Sequence, residues 1–146
     1  MKLRVAWIGK TKEAAIATLT AEYLKRTARY TPTEGTEYST EEALLRSLEK
    51  ASRTAPVFVA LDPRGKQMSS EELAAFLREH QERGTQELVF AIGPADGWSA
   101  AALSRAQVKL SLGKMTLPHE LARVVLVEQL YRGFTILAGH PYHGGH

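Results

Sequence analysis

Glu87-Leu88-Val89-Phe90-Ala91-Ile92 is an apolar run of strand length, and Pro56-Val57-Phe58-Val59-Ala60-Leu61 is a second one upstream. A strand with one face in water alternates apolar and polar residues. An unbroken apolar run instead marks a strand covered on both faces, and such strands belong to parallel sheets flanked by helices. The segments around them agree. Lys2–Ile8 reads as a strand, and Glu13–Arg26 as a helix with Ile16, Leu19, Tyr23 and Leu24 on one face. Thr33–Tyr38 reads as a short edge strand, because Glu34, Gly35 and Glu37 suit no buried one. Ser39 with Glu42 forms a capping-box signature for a helix over Thr40–Ser52. Ser69 with Glu72 does the same for a helix that ends at Gly84. Ser99–Ala106 is a short helix and Val108–Leu112 a fifth strand. Leu117–Tyr131 is a final helix with Pro118 in its first turn, where a missing N–H costs nothing. Strands alternating with helices define an α/β fold, a mostly parallel sheet with helices on both faces. No repeat, low-complexity stretch or linker divides residues 1–146, which read as one domain.

Composition narrows the function. A chain of 146 residues buries roughly 70% of its unfolded surface and needs no staple to fold. Cysteine is absent, which excludes thiol catalysis and Cys-ligated metal and suits a reducing cytoplasm. No apolar run approaches the length of a membrane span, and Met1–Val5 reads as a strand rather than a signal peptide. The net charge of +3 allows nucleic acid as a partner without demanding it. Gly9-Lys10-Thr11 mimics the end of a P-loop, but the first glycine of that motif would fall at Arg4, inside a strand. Lys10 and Lys12 stand where a phosphoacceptor receiver domain would carry carboxylates.

In an open parallel sheet, ligands bind beyond the carboxyl ends of the strands. Three loops leave such ends, Asp62–Gly65, Gly93–Gly97 and Gly113–Pro118. Each carries at least one glycine, so main chain can come close to a flat heterocycle. The last helix is apolar nearly all round, through Leu121, Val124, Val125, Leu126, Val127, Leu130 and Tyr131, and must be buried on most sides. Pro141-Tyr142-His143 follows it close to the chain end, where functional side chains are unusual.

Four blocks in order carry a resemblance: Leu61-Asp62, Ile92-Gly93-Pro94-Ala95-Asp96-Gly97, Ser111 to Arg123, and Glu128-Gln129-Leu130-Tyr131-Arg132 through His143. Over essentially its whole length the chain resembles the RlmH family of SPOUT RNA methyltransferases. The resemblance implies a C-terminal trefoil knot, a homodimer whose active site draws on both subunits, and S-adenosylmethionine as cofactor. It implies a cofactor pocket lined by Leu61, Gly93, Pro94, Gly97, Leu112, Gly113, Lys114, Met115, Thr116, Leu117 and Pro118. The expected reaction is methylation of the ring N3 of a pseudouridine in large-subunit (23S) ribosomal RNA, on the large subunit or the assembled ribosome, in the cytoplasm, without metal. N3 carries a proton between two carbonyls, so a base helps it become nucleophilic. His143 is the candidate base, Tyr142 orients the nucleobase, Arg132 holds phosphate or carbonyl oxygens, and His119 and Arg123 bind substrate. Glu128 and Arg132, four residues apart, also suit a plain helical ion pair.

Two departures stand out. The family usually has a second glycine where this chain has Pro94, and a basic residue after the Tyr-His pair, where this chain has Gly144-Gly145-His146. They motivate a second reading, a non-catalytic ribosome-binding assembly factor with the same fold. A related enzyme acting on another RNA is a third.

Overall fold

The computed structural model describes residues 1–49 and 54–145. Five strands and five helices alternate: β1 (Lys2–Ile8), α1 (Ala14–Thr27), β2 (Thr33–Tyr38), α2 (Glu41–Glu49), β3 (Val57–Gln67), α3 (Ser70–Arg83), β4 (Glu87–Ile92), α4 (Ala100–Arg105), β5 (Val108–Ser111) and α5 (His119–Ala138). A 3-10 turn over His143–Gly145 follows. The sheet order is β2-β1-β4-β3-β5, and every pairing is parallel.

The two apolar runs occupy the sheet's centre, as their composition requires. Leu88 and Phe90 of β4 pack on one side with Leu73 and Leu77 of α3 and Leu126, Leu130 and Phe134 of α5. Val89 and Ala91 face the other side, where Leu44 and Leu48 of α2 cover them and Trp98 and Leu103 join the edge. The period-2 alternation of a strand therefore feeds two cores rather than one core and water. The N-terminal ends of β1 and β4 are tied by buried Arg4, whose guanidinium meets Glu87 at 3.1 Å and donates to the Tyr38 hydroxyl at 2.6 Å.

Several boundaries differ from expectation. α5 continues to Ala138 instead of stopping at Tyr131. Gly133 lies inside it because a Cβ there would sit 2.8 Å from Leu77 Cδ1, so a glycine lets α3 come close. The true stop is Gly139, left-handed at φ 71°. Pro118 is the N-cap of α5 rather than a first-turn residue. α2 is capped by Thr40, whose Oγ1 accepts from Ala43 N at 3.1 Å, and not by Ser39; the part of that helix expected beyond Glu49 lies outside the described residues. β3 runs past Leu61 to Gln67 around a bulge, pairing Leu61 and then Lys66 with Leu110. Gly65 permits this, since a Cβ there would lie 2.6 Å from the Lys109 carbonyl.

Two burial expectations also shift. On α1, Leu19 is 42% exposed while Thr20 and Thr27 are buried, their hydroxyls donating to carbonyls one turn back. On α5, burial is one-sided. Leu126, Leu130 and Phe134 are covered, whereas Leu121 is 43% exposed and Val124 and Val125 are half-buried.

Candidate functional site

The carboxyl ends of β3, β4 and β5 open into one cavity of about 900 Å³. β3 contributes Leu61 and Asp62, and the loop after β4 contributes Gly93, Pro94 and Gly97. The segment between β5 and α5 supplies Leu112, Gly113, Met115, Thr116, Leu117 and Pro118. Of the pocket residues expected from the resemblance, Lys114 alone is not on the wall.

Local chemistry shapes each wall. Gly93 backs onto the Trp98 indole so closely that a Cβ would sit 2.7 Å from Trp98 Cε2. Trp98 Nε1 donates to Leu61 O at 3.0 Å and so ties the β4 loop to the end of β3. Gly97 N donates to Pro94 O at 2.9 Å, closing a turn in which Gly97 has φ 93°. Pro94 sits at the start of this turn, where its carbonyl is needed and an N–H is not. Buried Ser111 clips the next loop, its Oγ lying 2.9 Å from Gly113 O and 3.2 Å from Gly113 N.

Asp62 is 8% exposed yet lines the cavity. Its Oδ1 accepts from Arg64 N at 3.2 Å and faces Arg64 Nε at 3.7 Å. Apolar side chains, exposed main chain and two carboxylates, Asp62 and Asp96, suit a flat heterocycle with hydroxylated and charged arms, and the volume falls in the range of small-molecule sites. Asp62 and Trp98 were not among the expected pocket residues. A carboxylate directly after a buried strand run, at its ligand-facing end, is the signal for the first.

The tail residues gather elsewhere. Glu128 Oε2 accepts from Arg132 Nε at 3.1 Å, Arg132 Nη2 at 2.9 Å and the Tyr142 hydroxyl at 2.8 Å. The Arg132 guanidinium also lies 4.9 Å from the centre of the Tyr142 ring, which meets Tyr131 edge-on at 4.8 Å. Arg132 Nη1 is 2.9 Å from His143 Nδ1. Arginine only donates, so Nδ1 accepts and the imidazole hydrogen is on Nε2, which faces Glu71 Oε1 at 3.6 Å. Burial, then the bond to Glu128, pushes the Tyr142 hydroxyl above the usual tyrosine range, so it stays protonated. None of Arg132, Tyr142 and His143 lines the cavity of the same chain.

The two expected substrate-binding residues part company. His119 lines the cavity. Arg123 does not. It is 2% exposed, with its guanidinium 4.3 Å from the centre of the Trp7 ring and Nη2 donating to Thr11 Oγ1 at 2.8 Å. Trp7 and Thr11 close over the guanidinium, so within this chain Arg123 is not exposed for the direct RNA contact that was expected. Burial draws its pKa down, against the opposing pull of Glu120 and Glu37. His140 and His143 belong to no metal-binding group among the described residues, and His146 lies outside them.

Comparison with known proteins places this arrangement. A family model described as "Predicted SPOUT methyltransferase" matches residues 1–143. A protein of Koribacter versatilis (strain Ellin345), named ribosomal RNA large subunit methyltransferase H, is 67% identical over 146 residues, covering 100% of both chains. One of the same name from Geobacter sp. (strain M21) is 44% identical over 98% of this chain and 99% of its own. Among solved structures, an RNA 2'-O ribose methyltransferase superposes with TM-score 0.53 at 16% identity, over 90% of this chain and 56% of its own. The SpoU methyltransferase AviRb from Streptomyces viridochromogenes, solved with the cofactor AdoMet, does so with TM-score 0.52 at 13% identity, over 88% and 56%. At such identities the solved structures speak for the fold alone, whereas the full-length relatives and the family model speak for descent: the chain belongs to the SPOUT methyltransferases, and within them to the RlmH family.

Proposed function

We propose that the chain methylates the ring N3 of a pseudouridine in large-subunit ribosomal RNA, using S-adenosylmethionine, as a cytoplasmic homodimer acting on the large subunit or the assembled ribosome. The observation that carries this reading is a separation. One chain holds a cofactor-sized cavity at its strand ends and a Tyr-His-Arg cluster on its tail that does not line that cavity. A second copy would bring its tail to the first copy's cavity. The half-open stripe Leu121, Val124 and Val125 supports such an interface, with Met115, 85% exposed, at the cavity's edge. The trefoil knot is part of the reading. Its support is family membership and the path of the chain from β5 through the cavity-lining segment into α5, which packs on α1 and α3.

The cavity residues fit the cofactor. Leu61, Leu112 and Leu117 offer apolar surface for a purine, and Asp62 offers a carboxylate for hydroxyl or ammonium donors. When bound, S-adenosylmethionine supplies an electrophilic methyl group. The protein's remaining work is to place N3 in line and remove its proton. His119 stands at the cavity edge to meet the nucleobase. Tyr142, held protonated by burial and Glu128, acts as a donor or stacking surface and not as a base. His143 becomes a base only when substrate draws Arg132 away from Nδ1, exposing that lone pair as the uracil oxygens take the guanidinium. The assembly-factor reading rests on Pro94 and the tail; the turn that Pro94 opens uses its carbonyl and not an N–H.

Mixed dimers test the composite site. Leu117→Trp fills the cavity and His143→Ala removes the base, and each homodimer should be inactive on ribosomal particles. Dimers containing one chain of each kind should regain methyl transfer. Mixed dimers that form but stay inactive would place cavity and tail function in one subunit.

A further inference from the structure

The Gly9-Lys10-Thr11-Lys12 loop is left unused by the site described above, yet it is held with unusual care. Gly9, at φ 98°, turns the chain out of β1, and its N–H donates to Tyr38 O at 2.8 Å. Glu120, in the first turn of α5, accepts from Lys12 N at 3.0 Å and from Glu13 N at 3.3 Å through Oε1. Arg123 reaches back to Thr11 at 2.8 Å. Arg123 Nε is the one buried side-chain nitrogen or oxygen without a hydrogen-bond partner among the described residues. Burying an incompletely paired guanidinium is costly. A loop that merely joined β1 to α1 would not need it.

The anchor ties the loop to the site. Glu120 and Arg123 share the start of α5 with His119 and Ala122, which line the cavity. β1 also lies beside β4, with Trp7 opposite Ile92, so the loop leaves the sheet next to the Gly93–Gly97 wall. What the loop presents is two exposed lysines, Lys10 and Lys12, neither in an ion pair among the described residues. Of the carboxylates around the loop, Glu120 is taken up by the Lys12 and Glu13 amides and Glu37 by Trp7 Nε1 at 3.3 Å. Paired or freely moving lysines would serve solubility. Unpaired lysines on a bolted loop at the rim of a cavity serve an anion that approaches that cavity.

Resting on the proposed function, we infer that Lys10 and Lys12 form a phosphate-binding rim for the RNA backbone, with Arg123 as the positioning residue that holds the rim in register with the cavity. Phosphate contacts set register and affinity without reading sequence, and each lost contact lowers affinity in a salt-dependent way.

The test compares wild type with Lys10→Glu/Lys12→Glu and with Lys10→Arg/Lys12→Arg. Three quantities are read: KM for ribosomal particles in methyl transfer, co-sedimentation with large subunits across a salt series, and calorimetric affinity for S-adenosylmethionine. The glutamate pair should raise KM and weaken co-sedimentation by about tenfold or more, with a shallower salt dependence. Its cofactor affinity and its turnover at saturating particles should match wild type, and the arginine pair should behave as wild type throughout. Unchanged KM, co-sedimentation and salt dependence would overturn the inference, and so would a fall in cofactor affinity, which would make the loop a wall of the cavity. A wild type that binds subunits but transfers no methyl would sink the enzymatic reading alone, since co-sedimentation still tests the rim. A wild type that binds no ribosomal particle would overturn both.

Discussion

Tyr142 donates its hydroxyl hydrogen to Glu128 Oε2 at 2.8 Å, fourteen residues back along the chain and one α5 turn before the arginine that shares the same oxygen. One carboxylate thus holds the two residues that flank His143. Glu128→Ala should release Arg132 and Tyr142 together. Misplacement of this kind costs turnover about a hundredfold, while cofactor affinity should be untouched because Glu128 does not line the cavity. Single-turnover kinetics beside calorimetry would separate the two. Equal losses in both would make Glu128 a general stability residue.

His80 predicts an acid limb in stability. It is buried in α3, its Nδ1 lies 2.8 Å from Thr85 Oγ1, and its ring packs edge-on against Phe76 at 4.6 Å. Burial, with Arg83 adding to it, holds its pKa below the ordinary 6.5. The unfolded chain therefore takes up a proton at a higher pH than the folded one, so the His80 contribution is present above the unfolded pKa and lost as pH falls through the folded one. Melting temperature should drop between about pH 7.5 and about pH 5, and His80→Gln should flatten that limb. An identical pH dependence in the variant would assign the limb to other groups.

Neighbouring residues of the β4 loop should respond in opposite ways. A Cβ on Gly93 would stand 2.7 Å from the Trp98 indole, so Gly93→Ala must displace the ring that bridges to Leu61. Overpacking of this kind destabilises by about 1–3 kcal/mol, and cofactor affinity should fall with it. Pro94→Gly removes no needed contact and should leave affinity near wild type. A large gain in affinity from Pro94→Gly would show that a backbone N–H at this position matters to the ligand.

Periodicity alone laid out the strands. β1 and β4 have the expected limits, because alternating or continuous apolar runs bounded by turn residues have few other readings, and β2, which has no such run, has the limits expected of a polar edge strand. The capping box on Ser69 is present in both directions. Tertiary contacts decided what periodicity missed. Gly133 looks like a helix breaker until Leu77 is seen against it, and the β3 bulge depends on the backbone of a strand more than forty residues away. Arg123 reads as an RNA contact because arginine on a helix near a loop is usually exposed. Only the fold shows Trp7 and Thr11 closing over it. Gly93–Gly97 and Gly113–Pro118 were legible as cavity walls from their place after strand runs and their glycines, whereas Asp62–Gly65, expected as a third loop, is the bulged part of β3. The Glu128 hub was not, since an i,i+4 pair looks the same whether or not a tail folds back onto it.

The most direct measurement is transfer of labelled methyl from S-adenosylmethionine to purified large subunits and assembled ribosomes, with the modified nucleoside identified after digestion of the RNA. The account predicts label on a single pseudouridine, at N3, in large-subunit RNA, and its loss with His143→Ala. Saturable cofactor binding with no label in any ribosomal RNA, or label at a ribose hydroxyl, would contradict it.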